Sequence, residues 1–265
     1  MDHEAIRDLY DRRLRLGARP DGPGMRVERL GPVVRQTGPA HAWNGILWSG
    51  LDESGADVDA AVAEQIRHFT ALGLPFEWKV YGHDRPADLG ARLLAAGFTA
   101  EDQETLMVAE AASLPAAVSL PEGVELVRVT DAAGVKRVTE VHDRAFGGDS
   151  SHIGRQLLDR LATAPDTVAA VLAMAGDEPV SAARLELYPG TEFAGLWGGG
   201  TVEAWRGKGL YRALVAFRTR IAVERGHRFV QVDAADTSRP ILQRLGFTAL
   251  TTTTPYVYVP EGAQA

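Results

Sequence analysis

The residues most able to do chemistry lie between Glu192 and Phe217. A strand-like stretch, Glu192–Trp197, runs into Gly198-Gly199-Gly200, and a second turn delivers Arg206-Gly207-Lys208-Gly209 to the start of an amphipathic helix. Such a junction suits an anion. The first backbone N–H groups of a helix have no partner inside it, and the helix dipole favours negative charge there. Gly207 and Gly209 carry no side chain, so a phosphate can approach the backbone closely. Arg206 and Lys208 add positive charge, the arginine as a two-pronged fork. The plainer alternative is a strand-turn-helix corner with solvated basic residues. Two familiar phosphate motifs are excluded. In a P-loop, Ser or Thr follows the Gly-Lys pair, whereas Gly209 follows Lys208 here. A dinucleotide fingerprint needs a third glycine where Arg212 stands. The chain has no Cys, which excludes disulfides, thiolate metal sites and a Cys nucleophile. Its seven His form neither a HExxH nor a paired ligand set, and no metal is expected. His142 and His152, on either side of Phe146, read as structural or exposed. A Gly-x-Ser-x-Gly elbow is also missing.

The elements that must position this segment follow from periodicity and turn signals. A helix is expected over 1–20, ended by Asp21-Gly22-Pro23-Gly24. Strands are expected at Met25–Arg35 and Trp43–Ser49, a helix at Val58–Leu72 and a strand at Phe76–Tyr81. A further helix opens at Asp84-Arg85-Pro86 and stops at Gly97. Trp43, Trp48 and Trp78 read as core residues. An Ala-rich linker with Pro115, Pro121 and Gly123 spans 109–123, and then the pattern restarts. A strand Val124–Val129 precedes helices Ala132–Phe146 and Ile153–Leu161. The apolar run Val168–Ala175 turns at Gly176-Asp177-Glu178-Pro179 into Val180–Tyr188. Beyond the glycine-rich segment come the helix ending at Arg225-Gly226, a strand Phe229–Val232, a short helix Pro240–Leu245 and a strand Pro255–Val259. The halves echo each other: ARLLAAGFTA at 91–100 resembles PILQRLGFTA at 240–249, with Leu93 matching Leu242 ahead of Gly-Phe-Thr-Ala.

The 265 residues allow one large domain or two modest ones, and 45% apolar with 24% charged residues is ordinary for a globular protein. The longest apolar run is far short of the ~18 residues a membrane span needs. The start, Met1-Asp2-His3-Glu4, lacks the pattern of a secretory signal, so a cytoplasmic protein without a membrane partner is expected. A net charge of −7 argues against duplex nucleic acid as partner.

The segment RGKGLYRAL resembles the coenzyme A pyrophosphate loop of the GCN5-related N-acetyltransferases (GNAT), whose pattern is Gln/Arg-x-x-Gly-x-Gly/Ala. Arg206, Gly207, Lys208, Gly209 and Leu210 match, while Tyr211 stands where the family prefers Gly or Ala. The order of elements over 124–259 matches as well, and 25–110 resembles a degenerate copy without the loop. The resemblance implies an α/β mixed sheet of the acyl-CoA N-acyltransferase fold in two tandem lobes, a degenerate one over 1–115 and an acetyl-CoA-binding one over 116–265. It implies transfer of an acetyl group from acetyl-CoA to a primary amine of a small molecule, by a monomer or homodimer.

By the same resemblance, Gly200, Thr201 and Val202 would pair with the pantetheine arm, with Gly198–Gly200 allowing a bulge that opens the sheet. Amides from Gly207 to Arg212 would bind the pyrophosphate. The reaction needs an acceptor for the amine proton. Candidates are Glu186, Glu192, Glu203, Asp233 and Asp236; Glu192 lies nearest the family's position and Asp233 at the end of an apolar strand. The usual acid, a Tyr four residues before Gly-Phe, is Leu242 here. Tyr211, Tyr256 and Ser238 are possible substitutes, and Ser238 can instead cap the following helix or touch the cofactor. Leu242 leaves open a non-catalytic CoA-binding sensor, and an acyltransferase acting on a carrier-bound or protein substrate is a further alternative.

Overall fold

The computed structural model describes residues 2–20, 22–51, 57–116 and 118–263; Met1, Asp21 of the first expected turn and Ala117 of the linker lie outside these. The chain divides into two compact units. The first comprises 1–106, 233–236 and 249–265, and the second 107–232 and 237–248.

In the first unit, α1 (His3–Tyr10) starts at Asp2, whose carboxylate accepts from Ala5 N at 3.1 Å. The helix then widens into a π-helical turn over Asp11–Arg15, so the expected helix over 1–20 ends early. The widening accompanies burial of Arg15, which pairs with Asp11 at 2.9 Å and Asp84 at 2.7 Å and lies 3.7 Å from the Tyr81 ring centroid. The strand expected over 25–35 is a hairpin, β1 (Arg26–Leu30) and β2 (Val33–Thr37), folded at Gly31-Pro32. There follow β3 (Gly45–Ser49), α2 (Val58–Leu72), β4 (Phe76–Tyr81), α3 (Leu89–Ala95), the short β5 (Thr99–Ala100) and β6 (Glu104–Glu110). The repeated order of elements in the two halves calls for a strand after Gly97-Phe98, which is β5 and then β6; β6 runs into the start of the expected linker, and α3 begins later than Asp84. Helix α2 is closed by Asp57 at one end and Gly73 at the other. Its Phe69 stacks on Phe76 with centroids 4.2 Å apart, in a core with Trp78, Leu93 and Phe98. Trp43 and Trp48 are only partly buried. Trp43 donates to Glu77 at 2.9 Å, and Trp48 lies 4.7 Å from the Arg15 guanidinium.

In the second unit, β7 (Val124–Val129), α4 (Ala132–Phe146), α5 (Ser151–Thr163), β8 (Val168–Ala175) and β9 (Glu178–Leu187) follow the expected order. Then come β10 (Phe193–Thr201), α6 (Leu210–Glu224), β11 (Phe229–Ala234), α7 (Arg239–Leu245) and β12 (Thr248–Tyr258). Strands β7, β8, β9 and β10 are antiparallel neighbours, and β11 joins β10 in parallel. Residues alternate across this sheet. Ala170 and Leu172 face Val135, Val138 and Val141 of α4, while Val171 and Ala183 pack with Leu214 of α6. The two helices therefore cover opposite faces.

The unit boundaries differ from a single cut at 115/116. Strand β12 pairs antiparallel with β4 over Thr253–Tyr258, and Tyr256 and Tyr258 join the first core, so the C-terminal strand is counted with the first unit from Ala249 onward. Conversely, β6 passes into the second unit at Met107. The internal echo is a matched local structure. Leu93 and Leu242 are fully buried, Gly97 and Gly246 both take positive φ, and the next N–H returns to the leucine carbonyl at 3.1 and 3.0 Å.

Candidate acyl-CoA site

Strand β10 continues past Trp197, where the sequence suggested it would end, through all three glycines to Thr201. Its register with β9 shifts between Trp197 and Gly200, so one extra residue bulges there. Each glycine admits a close neighbour. A Cβ on Gly198 would lie 3.0 Å from the His142 ring, on Gly199 3.2 Å from Tyr211, and on Gly200 2.9 Å from Phe146. Gly198 also has a φ of 57°, which a larger residue resists.

The backbone carbonyls around the bulge are held by side chains. His142 donates to Gly198 O at 2.9 Å, and Ser181 to Gly200 O at 2.7 Å. Burial pulls His142 below the usual imidazole range, so it donates as a neutral ring. Arg206 donates to Thr201 O at 3.2 Å and Ala145 O at 3.1 Å, tying the loop to the end of α4. Its Nε and Nη2 are thus engaged on carbonyl oxygens.

A short 3₁₀ turn, Glu203–Trp205, leads into the loop. Lys208 lies 4.4 Å from the Trp205 ring centroid. Gly207 and Gly209 have φ of 76° and 86°, and no atom lies within 4 Å of a Cβ built on Gly207. Gly209 caps α6 without a side chain, so no side-chain oxygen occupies the helix's first N–H groups. Leu210 is buried and anchors the helix beneath the loop. These features fit a phosphate group: an open glycine turn, an uncapped helix start, and Arg206, Lys208 and Arg212 around it.

Tyr211 does not enter the loop. Its ring turns toward Gly199 and its hydroxyl hydrogen-bonds Ser238. Burial raises its pKa, so it keeps its proton at neutral pH. Ser238 precedes α7 but makes no side-chain cap; its carbonyl accepts from Ile241 N and Leu242 N instead. The acid suggested by type, a tyrosine, and the suggested cofactor contact, Ser238, are therefore paired in one place.

The three other suggested catalytic residues do not gather there. Glu192 precedes β10, and its carbonyl accepts from Phe229 N at 2.8 Å. It lies six residues before Gly198, about 20 Å along an extended strand. Asp233 belongs to the first unit, where its carboxylate meets Lys79 at 2.7 Å with only 2% of the side chain exposed. Tyr256 is also in the first unit, on β12 opposite Trp78, with its hydroxyl over Gly90. Among the remaining carboxylates, Glu186 is bridged by Arg160 and Arg184 at 3.1 Å each. Burial would raise its pKa, but the two cations outweigh burial and lower it. Glu203 and Asp236 are exposed. Leu242, at the family's tyrosine position, is fully buried core.

Sequence reasoning missed His142 and Ser181 as site residues. Their partners are backbone carbonyls, and only the register of the bulge brings them into reach.

No family model and no curated protein sequence matches this chain. Solved structures do. A GCN5-related N-acetyltransferase from Kribbella flavida is similar over 96% of this chain and 95% of its own, with TM-score 0.71 and 21% identity. One from Sphaerobacter thermophilus is similar over 90% and 84%, with TM-score 0.61 and 14% identity. A tandem GNAT protein from the clavulanic acid biosynthesis pathway is similar over 91% and 85%, with TM-score 0.60 and 13% identity. The agreement extends over nearly the whole chain, and with the mixed sheet described above it identifies the fold of this protein as that of the GCN5-related N-acetyltransferases.

Proposed function

We propose that the protein is an acetyl-CoA-dependent N-acetyltransferase acting on a primary amine of a small molecule. The observation that carries this reading is the junction of β10 and α6: a glycine bulge followed by an open glycine turn at an uncapped helix start. Residues 207–212 and the nearby cations would hold the pyrophosphate, and Gly200–Val202 would lie along the pantetheine arm. Ser238, beside Tyr211, is a further contact. Bound acetyl-CoA supplies the activated acyl group.

The chain's own contribution is positioning and polarisation. With neighbouring carbonyls held by His142, Ser181 and Arg206, the bulge is a fixed backbone surface rather than a loose connection. Tyr211 is the proton donor best placed beside that surface, since it keeps its proton and touches Gly199. Glu186 and Asp233 are held in ion pairs, and water is assigned the amine proton.

A test begins with thermal unfolding with and without acetyl-CoA. At 100 times Kd the ligand adds about 2.7 kcal/mol, which raises the midpoint of a domain of this size by roughly 5–10 °C. No shift at millimolar acetyl-CoA would overturn the reading. A shift without turnover across an amine panel would favour the second reading, a CoA-binding sensor, which the buried Leu242 at the tyrosine position supports.

A further inference from the structure

Helix α6 buries Leu210, Ala213, Leu214, Ile221 and Ala222, and two polar residues are buried with them, Thr219 and the cation Arg218. Arg218 is 2% exposed, and among the described residues no carboxylate pairs with it. A buried cation without a counter-ion is costly, and an apolar side chain would fill this face without that cost. Its Nε donates to Leu214 O at 3.0 Å, and its Nη1 to Arg184 O at 2.9 Å and Trp197 O at 3.4 Å, all backbone oxygens. The last two are not arbitrary. Arg184 and Trp197 are the cross-strand pair of β9 and β10 that immediately precedes the bulge.

We infer that Arg218 is a positioning residue that clamps the mouth of the β10 bulge from the α6 face, opposite His142 on the α4 face, and so fixes the backbone surface on which acyl-CoA is held. A bulge disrupts the ladder, and carbonyls beside it need donors from elsewhere. Arg218 supplies them to both strands with one rigid nitrogen, which an aliphatic residue cannot do. His142 meets the next carbonyl, Gly198 O, from the other face. Burial, together with the Arg184 charge, draws the Arg218 guanidinium down to about 10, so it is still a cation at neutral pH. The inference rests on the proposed acyl-CoA site for its purpose but not for its geometry.

The test compares Arg218→Met and Arg218→Lys in the full chain by thermal midpoint, acetyl-CoA titration and amide hydrogen exchange over 193–201. Arg218→Met is expected to weaken acetyl-CoA binding at least tenfold and to speed exchange over 193–201 while the rest of the protein is unaltered. Arg218→Lys, with a donor but no planar fork, is expected to fall between Met and wild type in both readings. If the Met variant does not fold, the Lys variant decides by the same two readings. Wild-type exchange over 193–201 in a folded variant overturns the clamp. Faster exchange throughout the protein also overturns it, because it marks an ordinary core role. Local loosening with unchanged acetyl-CoA affinity overturns the link to the cofactor. If the wild-type protein itself binds no acetyl-CoA, the functional proposal fails, and the exchange comparison still judges the clamp.

Discussion

Tyr211 concentrates the proposed chemistry in a single hydroxyl. Its pKa is raised by burial, its ring lies against Gly199 and its oxygen meets Ser238. Tyr211→Phe should lower kcat roughly 100-fold, the ordinary scale of a lost general acid, with the KM for acetyl-CoA within about threefold. A kcat equal to wild type would remove Tyr211 from the reaction. At the same scale, Arg15 is a buried cation of the opposite kind to Arg218, with carboxylates on two sides. Asp84→Ala leaves that guanidinium half paired in a site where Asp84 is itself only 2% exposed at the side chain. Breaking such a pair costs about 3–5 kcal/mol, which urea unfolding would read as a lowered midpoint at unchanged slope.

At the scale of elements, the strand-to-helix junction decides whether an anion can bind. Gly209 takes a φ of 86° at the cap just before α6. Gly209→Glu would strain that backbone and place a carboxylate where a phosphate should sit, so the stabilisation by acetyl-CoA of roughly 5–10 °C should vanish. Retention of the full shift would sink the site. The end of α4 belongs to the same assembly. Phe146 is 67% exposed yet lies against Gly200, and Arg206 bonds Ala145 O. A larger residue at Gly200 must displace the Phe146 ring or the strand. Gly200→Val is therefore expected to weaken acetyl-CoA binding, and calorimetric titration would read this directly.

For the molecule as a whole, stability should depend on pH through groups buried by the fold. His142 and His227 are held below the usual imidazole range, chiefly by burial, and His68 by burial and the neighbouring Arg35. At pH near 6 the unfolded chain binds more protons at these sites than the folded one. Their contribution is thus complete above about pH 6.5 and declines as pH falls through it. Glu77 and Glu104, raised mainly by burial, act with the opposite sign. The imidazole share is isolated by His142→Gln, which keeps a donor for Gly198 O. Its midpoint should vary less than wild type between pH 7 and 5.5, and an identical slope would show that His142 carries none of the dependence.

Local rules made much of this protein legible. Strand alternation and helix punctuation located Phe76–Tyr81, Val124–Val129, Ala132–Phe146 and Val168–Ala175 with the bounds the structure has, because capping, periodicity and turn residues act over a few neighbours. The glycine turn at the start of α6 was legible for the same reason, since it is made of consecutive residues. What the sequence could not show was pairing at a distance. The C-terminal strand is counted with the first unit because its partner is β4, far away in the chain. Asp233 looked available at a strand end, but Lys79 neutralises it. Arg218 is one of three arginines on α6, and only the register of β9 against β10 places two carbonyls before it. Short-range geometry is written in neighbouring residues, whereas desolvation and hydrogen-bond partnership belong to groups that meet only after the chain has folded.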